Sequence, residues 1–504
     1  MIKRRKNIFR FIELFIFLIA LIFISTNLMN ILIEKGTSTN PRMHNVYEGY
    51  AKNTDVLFVG SSHAGHLVGR NLWRDYGIAA YTIAGNSQPV DVTYHSIIEF
   101  LKYEEPSVIM VETALIPDDN MEEPDTEYEG KIQSDAAFKY SENYLQMARE
   151  QIKNFNLPFT EEGVQLLYKW PVVHSRYSEL TKDDFVTDAP YLVSDVHPLT
   201  SVPDEEAEIV TTDERAPISD IGREYLDKII ALFHEKNIPL VLFHTPYPAP
   251  EISMAQQNTI SDIASQNNVP YIDFNYLVEE IGFDVQTDQA ADLNHLNLSG
   301  GEKITAYLGQ YLLDNYNLKD HRNDPGYETW RNDQKAWEDY QLREEFESSS
   351  NIEEWGEHFG EHCKDYLVIM TLSGDHTSES NGSIQSILEE VPAPEDFYSK
   401  GGTIILYHGE LLYYSYNAET FSYSHKFGNS VVSVDRLMPN KEYMSQSDKD
   451  DRNDGVYIWG ENYVKKTSGL SVFIYDENLD IVIDSVGMSP DAEGNELKRE
   501  ENDK

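Results

Sequence analysis

The sequence predicts an α/β protein, with a mostly parallel sheet covered by helices on both faces and a smaller β-rich domain after it. Two observations lead there. Between residues 54 and 318, apolar runs of buried-strand type alternate with stretches of helical spacing. Strands that alternate with helices build parallel sheets through crossover connections. From Tyr366 onward the helical stretches give way to closely spaced strands. A chain of 504 residues has room for more than one core.

The chain opens on a basic tip. Lys3, Arg4, Arg5, Lys6 and Arg10 precede residues 14–33, which carry no charge. As a helix rising about 1.5 Å per residue, that stretch covers the roughly 30 Å core of one bilayer. Residues 1–35 are therefore read as a cytoplasmic tip and membrane anchor, with the rest of the chain outside the cell. A cleaved export signal is the competing reading. Asn27 and Asn30 stand where small residues would be needed for cleavage after Ile24, which favours the uncleaved anchor. Residues 34–50 read as a short tether.

The α/β domain is placed at 36–323. Its strands are predicted at 56–59, 79–84, 107–111, 240–244 and 271–274. Helices are predicted at 92–103, where Val92, Ile97, Ile98, Phe100 and Leu101 recur at helical spacing, and at 221–234, 260–265 and 301–313. Residues 115–220 interrupt the alternation, first acidic (Asp118, Asp119, Glu122, Glu123, Asp125) and then helical around 142–155. So long an excursion is expected to be a cap or substrate-binding insertion. Residues 324–359 read as a helical connector in which Trp330 and Trp337 pack on a neighbour or offer a carbohydrate platform.

The accessory domain is placed at 360–490. Strands are predicted at 365–371, 402–408, 411–416, 431–434, 456–459 and 470–475, with one helix at 382–391. His408-Gly409-Glu410 reads as a hairpin turn. The acidic end, 491–504, is expected to be disordered.

Composition excludes several functions. Acidic residues number 86 against 40 basic, a net charge of −46, which repels nucleic acid and anionic lipid at long range. A nucleic-acid partner is therefore not expected. A single cysteine, Cys363, rules out a disulfide framework. The acidic run 448–454 fails as a calcium loop, because Arg452 falls where an oxygen ligand belongs. There is no P-loop, dinucleotide fingerprint, HExxH or paired CxxC, and no cofactor is expected.

Chemistry concentrates at two places. Asp55-Val-Leu-Phe-Val-Gly-Ser-Ser-His63 reads as a buried strand ending in a tight turn that presents Ser62. Far downstream, Asp292-Leu-Asn-His295 offers a carboxylate and an imidazole three residues apart. A serine that attacks an acyl group needs a base near its hydroxyl and a third group to orient that base. Taken singly, Ser62 and Ser61 could be helix caps and His295 an ordinary loop histidine. His63 and His244 are further candidates near the site; His295 is preferred as base because Asp292 can fix its tautomer.

Together these pieces resemble the SGNH/GDSL hydrolase superfamily over residues 54–318. Gly60-Ser-Ser-His63 sits at that superfamily's nucleophile block, with Ser62 matching the serine. Asp292-Leu-Asn-His295 matches its last block, and Gly85 in Ala84-Gly-Asn-Ser-Gln88 matches its oxyanion glycine. The resemblance implies a three-layer α/β/α fold and acyl transfer through an acyl-serine. The third block departs from the pattern. Val111-Glu-Thr-Ala114 lacks the expected Asn, so Asn86, Gln88 or Thr113 is left to supply the second oxyanion donor. The chain looks more like the membrane-anchored subgroup that holds DltD-like proteins of teichoic-acid D-alanylation and the alginate O-acetylation proteins than like typical secreted GDSL lipases. That likeness implies a surface glycan or acylated polymer as substrate and a membrane-bound O-acyltransferase as partner. Arg176, in His174-Ser-Arg-Tyr-Ser-Glu-Leu180, is a candidate to hold a carboxylate or phosphate, with a structural ion pair as the alternative. An inactive scaffold that binds glycan is the competing function. The stretch 468–486 resembles the interleukin-like EMT inducer domain, which implies a glycan-binding accessory module.

Overall fold

A computed structural model describes residues 2–32, 40–117, 138–154, 156–157, 161–170, 174–178, 180, 199–372, 382–417, 421–428, 430–436, 455–458, 461–463, 469–488 and 497–499. The chain divides into two compact units, Met1–Gln334 and Lys335–Lys504. The acidic stretch 118–125, the run 448–454 and most of the tail lie outside the described residues.

The first unit begins with helix α1 (Ile2–Leu32). Its segment Phe11–Met29 has a mean hydropathy of 2.3 and is long and apolar enough to cross a membrane. The next element corrects the expected tether. Asn40–Glu48 forms helix α2, and Met43 and Val46, three apart on one face, are buried in the main core.

The sheet of this unit has five strands, β1 (Val56–Ser61), β2 (Ala80–Gly85), β3 (Val108–Glu112), β4 (Leu240–His244) and β5 (Tyr271–Asp273). All pairings are parallel, in the order β2-β1-β3-β4-β5. The residues of β1 through β4 are all buried, as their continuous apolar runs require. Alternate residues of β1 enter different cores: Leu57 and Val59 join one cluster, Val56 and Phe58 another. This order reverses direction between β1 and β3, and the crevice beyond the carboxyl ends of such strands is where open α/β sheets hold ligands.

A one-turn helix α3 (Ser62–Gly65) follows β1 directly, and α4 (Gly69–Tyr76) comes after it. The expected helices appear as α5 (Val90–Phe100), α6 (Glu142–Asn154), α8 (Asp220–Lys236), α9 (Glu251–Gln266, which starts nine residues before its expected bound) and α10 (Leu298–Asn315), and α7 (Glu161–Leu167) is an additional helix inside the insertion. Ser219 caps α8 by accepting from Gly222 N–H at 3.0 Å, and Asn237 ends it in the left-handed region. Helix α10 docks on the segment that follows Ser62. Val68 N–H donates to Thr305 Oγ1 at 3.0 Å, and Asn71 Nδ2 donates to Glu302 Oε1 at 3.2 Å. Gly301 makes the approach possible, since a Cβ there would lie 2.4 Å from the His66 carbonyl oxygen.

The expected connector at 324–359 is divided between the units. Trp330 is buried in the first core, stacked near Trp73 with its Nε1 donating to Lys52 O at 2.9 Å, so it offers no carbohydrate platform. In the second unit, Phe346, Trp355 and Phe359 enter the core from helices Glu328–Ser348 and Ile352–His362. Trp330 thus belongs to the core of the first unit, and Phe346, Trp355 and Phe359 to that of the second.

The second unit is antiparallel β. A six-stranded sheet takes β15-β14-β13-β6-β7-β8, and a four-stranded sheet takes β12-β11-β10-β9. Here β6 is Leu367–Leu372, β7 Gly402–Tyr407, β8 Glu410–Tyr416, β9 Phe421–Phe427, β10 Ser430–Arg436, β11 Gly455–Ile458, β12 Glu461–Asn462, β13 Leu470–Asp476, β14 Ile481–Met488 and β15 Leu497–Lys498. Along β6, Val368 and Met370 pack with the helices, while Leu367 and Ile369 pack with β9, β10 and β11. The β7–β8 turn has His408 and Gly409 at φ 47° and 77°, as a two-residue hairpin turn requires. Residues 497–499 depart from the disordered tail. Leu497 and Lys498 pair with Met488 and Gly487, and Arg499 is anchored on Asp484 and the Phe346 carbonyl.

Replacing Gly301 with Ala is expected to lower stability by about 1–3 kcal/mol, because backbone meets the new methyl. Denaturant unfolding of the two proteins checks this. An unchanged midpoint would mean that α10 is not held this closely.

Candidate active site

Ser62 stands at the turn between β1 and α3, at the carboxyl edge of the sheet. Gly60 lets β3 and α3 pack closely against the end of β1: a Cβ on it would sit 2.7 Å from the Glu112 Cβ and 3.2 Å from the Ala64 Cβ. Ser61, not Ser62, caps α3, its Oγ accepting from His63 N–H at 3.3 Å. Ser62 is therefore left to face the crevice, half-buried.

The fold brings His295 to it. Ser62 Oγ lies 2.7 Å from His295 Nε2, and His295 Nδ1 lies 2.6 Å from Asp292 Oδ2. The loop carrying both residues braces itself. Asp292 Oδ1 accepts from the N–H groups of Asn294 and His295, each at 3.0 Å. Between them Leu293 takes φ 61°, a strained value for a residue with a side chain, and this folds Asp292 back onto the ring. Asn297 then caps α10 by accepting from Gly300 N–H at 3.1 Å.

Burial pushes the Asp292 carboxyl up. The His295 ring and the two N–H groups outweigh that, so it stays below the usual carboxylate range. This keeps it ionised as the partner of Nδ1–H, which leaves Nε2 as the acceptor facing Ser62.

The surrounding rings are a feature the sequence reading did not assemble. His63 and His66 lie with centroids 5.3 and 4.9 Å from the His295 ring. Burial first, then the neighbouring imidazoles, holds His63 well below its ordinary value. Burial and His295 hold His66 down at about 4. Both are therefore neutral near pH 7. Tyr247 completes this wall, 4.8 Å from the His63 ring.

The other sequence candidates divide. Gly85 ends β2 in register with Ser61, beside the nucleophile turn. Asn86 is exposed in the turn after it. Gln88 is buried with its Nε2 donating to Thr93 Oγ1 at 3.1 Å. Thr113 is not disposed as an oxyanion donor. Its N–H donates to Phe243 O at 2.9 Å, and its hydroxyl points to Phe243 O at 3.1 Å and Gln257 Oε1 at 2.8 Å. His244 is fully buried, Nδ1 3.1 Å from Asp273 Oδ1, and packs behind Tyr247. Arg176 Nη1 donates to the Leu32 carbonyl at 3.0 Å, at the C-terminal end of α1. Lone Cys363 is buried in the second unit.

Glu112 is the residue that sequence reasoning missed. It occupies the third block, fully buried, with Oε2 3.1 Å from Ser61 Oγ and Oε1 accepting from Ala114 N–H at 2.7 Å. Burial raises its carboxyl to about 7, against the opposing pull of His244 and its hydrogen bonds. Among the described residues no group of His, Cys, Asp and Glu is placed to hold a metal. No protein-family model matches this sequence, and no curated protein matches it either.

The raised Glu112 pKa makes stability depend on pH. Below the unfolded value near 4.5 both states carry the proton and stability is full. As pH rises to about 7 the unfolded chain releases it first, and stability falls. Glu112→Gln is therefore expected to gain on wild type by about 3 kcal/mol between pH 4.5 and pH 8. Denaturant midpoints across that range measure the gain; parallel curves for the two proteins would contradict it.

Proposed function

We propose that the chain is a membrane-anchored serine acyl esterase or O-acyltransferase of SGNH type, facing outward and acting on a cell-surface polysaccharide or teichoic-acid-like polymer. The observation that carries this is the continuous hydrogen-bonded line Ser62–His295–Asp292, at 2.7 and 2.6 Å. Support for a three-layer SGNH-like arrangement comes from the parallel order β2-β1-β3-β4-β5 and from the alternate burial of β1 in two cores. Lys3, Arg4, Arg5, Lys6 and Arg10, in the first turns of α1 ahead of its apolar span, favour a cytoplasmic N-terminus.

His295 Nε2 takes the Ser62 proton as Oγ attacks the acyl carbonyl carbon. The leaving alkoxide departs with that proton, and an acyl-serine remains. The oxyanion is stabilised by backbone N–H groups at Ser62 and Gly85, each donor worth about 3 kcal/mol. Water, or a sugar hydroxyl in the transferase case, then gives its proton to His295 and attacks the acyl carbon. The Ser62 oxygen leaves and recovers a proton from His295. A membrane-bound O-acyltransferase beside the anchor is the proposed source of acyl groups.

The occupied Thr113 donors and the carboxylic Glu112 favour a second reading, an SGNH-type scaffold that binds glycan without turnover. One experiment separates the two. Detergent-solubilised protein is expected to hydrolyse p-nitrophenyl acetate. Ser62→Ala should remove the activity, and Asp292→Asn should lower kcat roughly 10²–10⁴-fold. Wild type as slow as Ser62→Ala would favour the scaffold.

A further inference from the structure

The outer end of α1 is clamped to the first unit. Residues 11–24 are exposed along the span, but Met29 and Leu32 are buried against Tyr140, Trp170 and Leu180. The Arg176 hydrogen bond satisfies a carbonyl of the last turn, one of the groups that a helix end leaves open. Next to this clamp are large exposed side chains. Val164 is 50% exposed, Tyr168 43% and Tyr177 73%. They are tied to it through the chain and through Tyr140, whose hydroxyl donates to Leu167 O at 2.5 Å.

We infer that this part of the insertion is an interfacial collar, resting Val164, Tyr168 and Tyr177 in the headgroup region of the bilayer around the exit of α1. The inference rests on the anchor reading above. What selects the bilayer as occupant is continuity: the exposed side chains lie beside the buried end of a span that is itself apolar on its exposed surface. Tyrosine and tryptophan collect at that depth, because the ring prefers the hydrocarbon edge and the polar tip prefers water. Arg176 adds a cation at the level of lipid phosphates.

The consequence reaches the site. Eight residue steps separate Leu32 from Asn40, a reach of at most about 28 Å. Helix α2 is then built into the core, and its Arg42 donates to the Gly65 carbonyl at 3.2 Å and to the Ala84 carbonyl at 3.5 Å. Those carbonyls belong to the turn carrying Ser62 and to the strand carrying Gly85. Through this connection and α2, the turn carrying Ser62 is tied to the exit of α1 from the bilayer.

The full chain with Cys363→Ser, reconstituted in phosphatidylcholine–phosphatidylglycerol vesicles, tests this. Single cysteines replacing Ile22, Val164, Tyr168, Tyr177 and Ile252 are given nitroxide labels, and collisions with oxygen and with a nickel chelate are compared. Ile252 is 61% exposed on α9 and serves as the aqueous reference. We expect Ile22 in hydrocarbon, and the three collar positions several-fold less accessible to nickel than position 252. Collar positions as open to nickel as 252, with Ile22 still in hydrocarbon, overturn the collar and leave the anchor standing. Ile22 open to nickel overturns both. Three collar positions keep the test decisive if one variant misfolds.

Discussion

Everything proposed for this protein depends on the position of one imidazole. His295 comes from a loop more than two hundred residues away from Ser62, yet its two nitrogens sit 2.7 Å from the serine and 2.6 Å from Asp292. Three constraints hold it there. The Asp292 carboxylate folds back over Leu293, the Asn297 cap starts α10 at a fixed point, and α10 is fastened to the segment just after the nucleophile. The backbone contact at Gly301 makes this last link short. The base and the nucleophile are therefore positioned by the same packing.

Electrostatics around that imidazole are consistent with acyl transfer. An imidazolium forming on His295 would be opposed by other positive charge close by. His63 and His66 are its nearest rings, and burial keeps both neutral near pH 7. Glu112, beneath the turn, is held close to half protonation at neutral pH and bonds to Ser61 instead of Ser62. Asp292, half-exposed, is the carboxylate placed to offset charge on the base.

Much of this was legible in the residues. The buried run before Ser62, the Asp-x-x-His spacing and the helix after it are local signals, and each element formed close to its predicted bounds. What could not be read was set by long-range partners. The Thr113 hydroxyl is engaged by Gln257, which no local pattern reveals. Glu112 gains its meaning only from burial under Ser61. Helix α2 is short, and Met43 and Val46 give it only a faint helical spacing, too little to tell it from a tether. Strand β9 carries a period-two signal, Phe421, Tyr423, His425 and Phe427 alternating with polar residues, that the expected strands do not include. The division of the connector followed from which core each of its aromatic residues entered.

The most direct measurement is to find where a fluorophosphonate attaches. The probe reports an activated serine by forming a covalent bond to it, independent of any knowledge of the natural substrate. After treatment of the intact protein, peptide mapping by mass spectrometry is expected to place the adduct on Ser62 alone. Attachment at Ser61 or another serine, or no adduct on wild-type protein, would contradict the account.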